Sequence, residues 1–439
     1  MSRNILFVLT DNQRHDLLGC AGHPVLRTPH LDALARRGTR FSRAFATTPI
    51  CSASRASILT GLYERRHQFT FDAPPLHADL ALASYPALLH AAGYHTALIG
   101  KLGIESRGVG DIVSIEDAAA TVPAMFDHLD HYEHWSEHGY EIPQPNGDIR
   151  HLTDLTGDKA IAYLQSCREP FCLSISFNAP HAQDDDPRQY IWPEDENELY
   201  TDAIFADPAN ADPAYFDALP SFLRESESRR RWHLRYDAPD KFQRSMRGLC
   251  RMISGIDRNL GRILAALDDR ADNTVVIFTS DHGMFYGERG LSDCWLPHEE
   301  TLRVPLLIYD PRAPRDAVVR DELALNIDLA PTLLQLAGLP IPSTYQGRGL
   351  APLLNGETPP WREDFLCEHH FPHPGIPQSE GIRTRDWKYF RYYQHDYECL
   401  YDLRADPCES TNLATDPTHS HQLASLRTRC DQLIQELGP

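Results

Sequence analysis

The chain has 439 residues, of which 42% are hydrophobic, and it carries a formal net charge of −20. This length and apolar content suffice for a large core, and length alone favours about two or three domains. The acidic balance argues against a nucleic-acid partner, and no uninterrupted apolar run reaches the roughly 20 residues of a membrane span.

The N-terminus runs directly into an apolar segment without the pattern of a signal peptide. The 10 cysteines include no CxxC pair, so a structural zinc site is not expected. We therefore expect a cytoplasmic protein with mostly reduced thiols. A periplasmic location is the alternative if a leader was removed from the sequence.

Continuous apolar runs predict strands buried on both faces of a sheet. They lie at 5–9, 95–99, 171–177, 274–279 and 304–309. Helical patterns alternate with them, at 30–37, 85–92, 158–166, 242–267 and 329–337. This alternation predicts an α/β fold with a large, mostly parallel sheet flanked by helices.

Four polar residues follow these strands within a few positions: Asp11, Lys101, His181 and Asp281. Ligands of such sheets bind beyond the carboxyl ends of the strands. We therefore expect the four residues to share a single site.

Cys51 opens the run Cys-Ser-Ala-Ser-Arg-Ala-Ser-Ile-Leu-Thr-Gly at residues 51–61. A turn-like start followed by a helical stretch places Cys51 at or just before a helix N-terminus. There the helix dipole favours a thiolate or another anion, and Arg55 lies one turn further on, facing the same spot. Taken alone, this spacing is better explained by a buried cysteine beside a surface arginine.

The complete run resembles the sulfatase signature, Cys-x-(Pro/Ala)-x-Arg followed by Ser-x-x-Thr-Gly. On this basis the chain resembles a type I sulfatase of the alkaline phosphatase superfamily. The resemblance implies that Cys51 is oxidised to formylglycine, whose hydrated aldehyde is the nucleophile, and that Arg55 holds this hydrate. It also implies a partner, either a formylglycine-generating enzyme or an anaerobic sulfatase-maturing enzyme.

Two segments resemble sulfatase metal loops, Thr-Asp-Asn-Gln at 10–13 and Ser-Asp-His-Gly at 280–283. The resemblance implies a metal site made of Asp11, Asn12, Asp281, His282 and the modified Cys51. Helix capping is the plainer role for either acidic loop by itself. Oxygen ligands suit Ca²⁺, the expected ion, or Mg²⁺. Because Asn12 replaces a common Asp and His282 replaces a frequent Asn, a transition metal is a further alternative.

Residues 93–101 resemble the second sulfatase signature, which ends in Gly-Lys, and 178–181 resemble its Pro-His segment. The resemblance implies that Lys101 and His181 contact the sulfate. A solvated lysine and a structural histidine are the alternatives. Lysine suits an anion as a point charge, and histidine can also move a proton near neutral pH.

The segment 291–305 departs from the family pattern. The usual lysine is Cys294 and the usual tyrosine is His298, and a neutral thiol cannot replace a cation. We expect Cys294, His298 and His373 to bind substrate. We expect His298, or a residue from the insertion or from the C-terminal subdomain (Glu368, His369, His370 or His373), to protonate the leaving group.

We predict a sulfatase-like α/β catalytic domain at 1–348, with an insertion at 183–240 over the site, and a small C-terminal α+β subdomain at 349–439. Short strands at 381–393 and 399–403 and a closing helix at 422–437 are expected in the latter. Arg383 and Lys388 are expected in surface salt bridges.

The sequence thus predicts a sulfuric ester hydrolase that cleaves a carbohydrate or aryl sulfate to an alcohol and sulfate, with no membrane or nucleic-acid partner. One alternative is a phosphonate monoester or phosphodiester hydrolase with the same nucleophile. Another is a catalytically silent binding protein that kept the fold.

Overall fold

The computed structural model describes residues 2–71, 74–104, 118–132, 138–313 and 317–438. Its strands, in chain order, are β1 (Asn4–Thr10), β2 (Thr39–Phe41), β3 (Ala44–Phe45), β4 (His95–Lys101), β5 (His128–Tyr132), β6 (Glu141–Pro143), β7 (Ile149–His151), β8 (Phe171–Ser176), β9 (Thr274–Ser280), β10 (Phe285–Tyr286), β11 (Ser292–Asp293), β12 (Arg303–Val304), β13 (Leu306–Tyr309), β14 (Val318–Arg320), β15 (Ala324–Leu325), β16 (Asp364–His369), β17 (Ser379–Thr384), β18 (Trp387–Tyr392) and β19 (Tyr397–Asp402).

The α-helices, in chain order, are α1 (Pro29–Arg37), α2 (Cys51–Thr60), α3 (Glu64–His67), α4 (Ala78–Leu82), α5 (Tyr85–Ala91), α6 (Ala118–Met125), α7 (Leu152–Ser166), α8 (Pro213–Asp217), α9 (Ser221–Arg224), α10 (Glu227–Arg235), α11 (Pro239–Ala265), α12 (Glu299–Leu302), α13 (Leu329–Leu336), α14 (Ala351–Leu354) and α15 (Ser420–Leu437).

The main sheet has eight described strands in the order β14-β2-β13-β9-β1-β8-β4-β5. Its pairs are parallel except where β13 lies antiparallel between β9 and β2. The prediction of a large, mostly parallel sheet is confirmed. The predicted strand at 304–309 is divided, since β12 pairs with β3 in another sheet and Pro305, which has no N–H to donate, separates it from β13.

Alternate side chains of the central strand β1 reach opposite faces of the sheet. Leu6 and Val8 join a core with helices α1, α7 and α11. Ile5, Phe7 and Leu9 join a second core with α2, α5 and α13. Helices therefore cover both faces, as the continuous apolar runs predicted.

The C-terminal part contains an antiparallel sheet of four strands, in the order β16-β17-β18-β19, against which α15 packs. The small antiparallel unit is confirmed, whereas the exact domain boundary stays a prediction. In the part of the chain that the structure describes, none of the helices is both long and apolar enough to cross a bilayer. The ten cysteines all lie in described residues and are free thiols there.

Candidate active site

The carboxyl ends of four neighbouring parallel strands bring the predicted polar residues together. Asp11 and Asp281 directly follow β1 and β9, Lys101 ends β4, and His181 lies a few residues beyond β8. Lys101 Nζ forms an ion pair with Asp11 Oδ2, and both side chains are buried. The single site expected from the strand ends is thus present in the structure.

Arg55 joins the two metal loops from the second turn of α2. Its Nε donates to Asp281 Oδ2 at 2.8 Å, and one Nη donates to Asp11 Oδ2 at 3.1 Å. Its other Nη donates to the Lys101 carbonyl at 3.0 Å and to Ser176 Oγ at 2.7 Å. Arg55 is therefore fully engaged in orienting these acidic residues.

Backbone amides fix the remaining oxygen of Asp281. Its Oδ1 accepts the N–H of Asn12 at 3.2 Å and the N–H of His282 at 2.8 Å. Asn12 adopts a left-handed conformation with φ 67°, which asparagine tolerates better than most residues. The two loops are thereby locked to each other through one carboxylate.

Three buried polar atoms at this point have no hydrogen-bond partner among the described groups: Asp11 Oδ1, Asn12 Oδ1 and His282 Nε2. His282 Nδ1 lies 2.8 Å from the Gly283 carbonyl. This contact makes Nδ1 the donor and leaves a lone pair on Nε2. Ligand atoms from Asp11, Asp281 and His282 lie within 4.8 Å of one another. Buried, unpaired acceptors at such spacing fit a divalent cation.

The charge around Asp11 supports that arrangement. Burial alone would raise the pKa of Asp11, but Lys101, His181, Arg55 and His282 outweigh it and hold the pKa well below its usual range. Asp11 is therefore an anion despite its complete burial, and it retains one oxygen for a cation.

Cys51 is the first residue of α2, after Ile50 in an extended conformation. This confirms its placement at a helix N-terminus. Burial raises the pKa of the Cys51 thiol to about 12, although Lys101 and Arg55 act in the opposite direction. The unmodified cysteine is thus a neutral thiol, contrary to the expectation of a thiolate, because desolvation outweighs the helix dipole and the cations.

Two glycines explain how Lys101 reaches this position. Gly100 has φ 107°, and a Cβ there would lie 2.1 Å from the Ser176 carbonyl oxygen. Gly103 has φ 75°, and a Cβ would lie 2.4 Å from Arg55 Cδ. The chain on both sides of Lys101 therefore needs glycine in order to pass close to β8 and to Arg55.

A cavity of about 270 Å³ opens over these residues. Its lining consists of Asn12, Ile50, Cys51, Phe71, His181, Asp184, Glu227, Arg231, His282, Asp293, Cys294, Trp295, Phe371, His373 and Ile376. Two larger surface cavities, of about 550 and 830 Å³, have linings without Cys51 or the metal-loop residues. The smaller cavity is the candidate active site because it alone of these three contains the reactive groups.

Cys294 and His373 both line this cavity, and their binding of substrate stays a prediction. Burial raises the pKa of the Cys294 thiol well above its usual range, so it brings no charge. The neighbouring Trp295 has φ 75°, and its N–H donates to the Pro49 carbonyl at 2.9 Å. This bond ties the Cys294 loop to the segment that precedes Cys51.

The structure does not bring His298 to the cavity. His298 is buried between the rings of Phe285, Phe390 and Tyr401, and its Nδ1 lies 3.1 Å from Glu409 Oε2. The apolar surroundings hold the pKa of His298 below its usual value. The expectation that it binds substrate is thus not supported, since its polar contact is with a buried carboxylate.

Arg383 and Lys388 lie in the same buried region, which corrects the expectation of surface salt bridges. Lys388 Nζ lies 2.8 Å from Glu299 Oε1 and 2.7 Å from Glu409 Oε1, and Arg383 pairs with Glu299 at 3.1 Å. The C-terminal sheet is thus joined to α12 by buried charges.

Sequence reasoning missed several charged residues that line the cavity. Arg231 and Glu227 come from α10, and Asp184 comes from the start of the insertion. Nothing local distinguishes Arg231 from its neighbours Arg229 and Arg230. The expectation that the insertion covers the site was the one signal that pointed to this region.

Comparisons with known proteins identify relatives of this chain. A family model described as Sulfatase matches residues 3–339, and one described as N-sulphoglucosamine sulphohydrolase, C-terminal, matches residues 287–436. An N-acetylglucosamine-6-O-sulfatase of Bacteroides thetaiotaomicron is 30% identical over 93% of this chain and 82% of its own length.

Two solved structures extend the comparison to the fold. One, of a protein in complex with its substrate D-glucosamine-2-N,6-O-disulfate, is 26% identical with a TM-score of 0.83 and covers 100% of this chain and 98% of its own. The other, a phosphonate monoester hydrolase from Silicibacter pomeroyi, has a TM-score of 0.80 at 22% identity, covering 99% of this chain and 96% of its own. The second likeness concerns the fold alone.

Proposed function

Because this chain belongs to the sulfatase family of the alkaline phosphatase superfamily, we propose that it hydrolyses a carbohydrate or aryl sulfate to an alcohol and sulfate. One observation carries the proposal. Cys51, at the first residue of α2, faces a cavity that it shares with Asn12 and His282, which present unpaired ligand atoms. A nucleophile and a cation site thus meet in one enclosed space.

The nucleophile is proposed to be a formylglycine made from Cys51 by a maturing enzyme. This modification supplies a hydrated aldehyde, whose second hydroxyl allows the sulfate to leave again. An unmodified thiol, neutral because its pKa is raised to about 12, offers neither the anion nor that exit.

Asp11, Asn12, Asp281 and His282 would hold a divalent cation beside position 51. Their oxygens suit Ca²⁺, with Mg²⁺ as an alternative, and the His282 nitrogen also suits a transition metal. Such an ion supplies charge that activates the nucleophile and stabilises the sulfuryl oxygens.

Lys101 and His181 are proposed to complete the anion site. Lys101 is buried against Asp11, and the His181 ring lines the cavity with Nδ1 held 2.6 Å from the Ala182 carbonyl. Preorganised donors in an enclosed site stabilise charge that develops in the transition state. Lys101 and His181 together oppose the overall negative charge of the protein, which repels a sulfate ester.

Maturation of Cys51 tests the proposal directly. Coexpression with a formylglycine-generating enzyme should lower the mass of the tryptic peptide that contains Cys51 and should confer turnover of aryl or sugar sulfates. Cys51→Ala should abolish this turnover and keep the fold. Cys20→Ser is the matched control, because Cys20 is half-buried and does not line the cavity. Full turnover by purified Cys51→Ala protein would exclude position 51 as the nucleophile.

A second candidate is hydrolysis of a phosphonate monoester or phosphodiester by the same groups. It is supported by the solved phosphonate hydrolase of the same fold and by a neutral thiol at Cys294. Aryl phosphonate and diester substrates, assayed beside aryl sulfate, distinguish the two, since the faster kcat/KM identifies the reaction. A silent binding protein would show no formylglycine after coexpression and no turnover in any arm.

A further inference from the structure

The outer half of the cavity differs from the anion site at its floor in the charged and aromatic side chains that line it. We call this half the outer wall and define it by its charged residues Asp184, Glu227, Arg231 and Asp293 and its aromatic residues Phe71, Trp295 and Phe371. Among the described residues that line the cavity, Arg231 is the one lysine or arginine. Any second anionic group on a substrate would therefore depend on Arg231.

Arg231 is already engaged by carboxylates on several sides. Its Nε donates to Glu227 Oε1 at 2.8 Å, and its Nη1 donates to Asp293 Oδ2 at 3.0 Å and to Asp184 Oδ2. Its side chain is 17% exposed. The guanidinium thus has a carboxylate partner at each of these donors and presents little surface to a ligand.

The three carboxylates have further partners behind the wall. Arg235, which is completely buried, donates to Asp293 Oδ2 at 3.0 Å and to Asp184 Oδ1. Arg230 donates to Glu227 Oε2 at 2.7 Å. Three arginines and three carboxylates therefore balance one another. Moving Arg231 toward a ligand would take a partner from the buried Asp293 and from the partly buried Asp184 and Glu227.

The rest of the wall is apolar. The rings of Phe71 and Phe371 lie 5.2 Å apart, and Arg231 lies 5.5 Å above the ring of Trp295. Ile50, Cys294 and Trp295 belong to one hydrophobic cluster with Ile376. Aromatic and aliphatic surfaces of this kind suit the face of a sugar or an aryl ring.

We infer that the outer wall selects sulfate esters whose alcohol part carries no second anionic group, such as a neutral sugar or an uncharged aryl alcohol. This inference rests on the proposed function, because it assigns the leaving group to this side of the cavity. The sulfate itself is assigned to the floor, where Cys51, His181, Asn12 and His282 line the cavity and Lys101 is buried against Asp11. A carboxylate or second sulfate on the alcohol would find no available lysine or arginine in the outer wall, because Arg231 is already paired with Asp184, Glu227 and Asp293. Burying an anionic group without a partner disfavours binding.

Two pairs of esters test the inference with the matured enzyme. The first is 4-methylumbelliferyl sulfate and the sulfate of 7-hydroxycoumarin-4-acetic acid, which share a coumarin leaving group and differ by one remote carboxylate. The second is N-acetylglucosamine 6-sulfate and glucosamine-2-N,6-O-disulfate.

We expect kcat/KM to be at least about tenfold higher for the singly charged ester of each pair, since the second anionic group of the other ester would be desolvated without a free cationic partner. Equal or faster turnover of the doubly charged esters would overturn the inference and leave the proposed function intact. Failure to hydrolyse any sulfate ester would overturn both.

A substitution in the wall should change this ratio. Glu227→Gln keeps the size of the side chain, removes one carboxylate and releases one partner of Arg231. The preference for the singly charged ester should fall severalfold, mainly through kcat/KM of the carboxylated coumarin ester. Glu225→Gln, at an exposed position on the same segment, should keep the wild-type ratio. An unchanged ratio in Glu227→Gln would show that the wall charges do not select the substrate.

Discussion

Arg55 shows how one side chain organises the reaction centre. It contacts Asp11, Asp281, the Lys101 carbonyl and Ser176 at once. The fork of a guanidinium can serve two carboxylates in fixed geometry, which a lysine cannot do. In the unmodified protein Arg55 therefore positions Asp11 and Asp281, the proposed metal ligands. This contact set accounts for its burial and was not apparent from its spacing after Cys51.

Arg55→Lys should weaken metal binding because it removes these contacts and keeps the charge. Loss of groups that orient metal ligands commonly costs about 10- to 100-fold in affinity. Titration calorimetry with CaCl₂ and with MnCl₂ measures this effect without any substrate. Arg65→Lys, at an arginine that pairs with Glu368 and Glu380 instead, is the control. Unchanged affinity for both ions would remove Arg55 from the metal site.

Glu64 is a buried acid whose protonation should affect stability. Burial raises its pKa from the ordinary 4.5 to about 8, despite the nearby His370. Its Oε2 accepts from Thr48 Oγ1 at 3.3 Å and from the His370 N–H at 3.2 Å, while Oε1 has no described partner. The folded protein thus keeps a proton that the unfolded chain releases near the ordinary pKa.

This difference predicts that Glu64→Gln becomes more stable relative to the wild type as the pH rises. The contribution of protonated Glu64 is fully present below about pH 4.5 and is lost as the pH rises through about 8. The Tm of Glu64→Gln minus that of the wild type should therefore grow between pH 5 and pH 9, measured calorimetrically. Glu357→Gln, at an exposed acid, should give a constant difference. A constant difference for Glu64→Gln as well would place the titration elsewhere.

The short helix α12 connects the α/β part to the C-terminal sheet. Glu299 binds Arg383 and Lys388 of strands β17 and β18, and His298 binds Glu409 just before the helix. His298 lies in the segment 291–305, of which Asp293, Cys294 and Trp295 line the cavity, and this is why it was expected to bind substrate. The structure assigns Cys294 to the cavity and His298 to this junction.

His298→Ala should accordingly act on stability. Removal of one partner from a buried hydrogen bond costs about 1–3 kcal/mol, so the Tm should fall and Glu409 should lose a contact. Turnover of an activated aryl sulfate and of a sugar sulfate should fall by equal factors. His421→Ala, at an exposed histidine, should change neither. A selective loss with the sugar sulfate would instead indicate a role in leaving-group departure.

The elements differ in how far sequence could predict them. Strands β1, β4, β8 and β9 are continuous apolar runs in the middle of the sheet, and these runs predicted them together with the polar residues at their ends. Strand β5 reads His-Leu-Asp-His-Tyr at a sheet edge, where exposed or half-buried polar residues leave no such signal. The contacts of Arg231 depend on how the insertion folds back, and no local pattern encodes them.

The whole molecule carries a formal charge of −20 and takes an anionic ester into a site that holds buried cations. Long-range repulsion and local attraction therefore oppose each other. Salt shortens the range of electrostatic interactions from about 30 Å at 0.01 M to about 8 Å at 0.15 M. It therefore weakens the effect of distant surface charges on the substrate more than the effect of the buried charges.

We therefore expect kcat/KM for an aryl sulfate to rise by about twofold or more between 10 and 150 mM NaCl, since surface fields alter encounter rates strongly. Parallel measurements in sodium acetate separate screening from competition by chloride. A steady fall in kcat/KM in both salts would mean that the cations at the floor control encounter and that the net charge does not.

The burial of α2 makes the timing of the proposed maturation of Cys51 important. All ten residues of the helix are buried, and Cys51 itself is 5% exposed. The folded chain therefore offers little of this segment to a modifying enzyme. If Cys51 is oxidised as proposed, the step is expected to be faster on the unfolded chain than on the folded one. The active fraction of molecules would then depend on the rate of modification relative to the rate of folding.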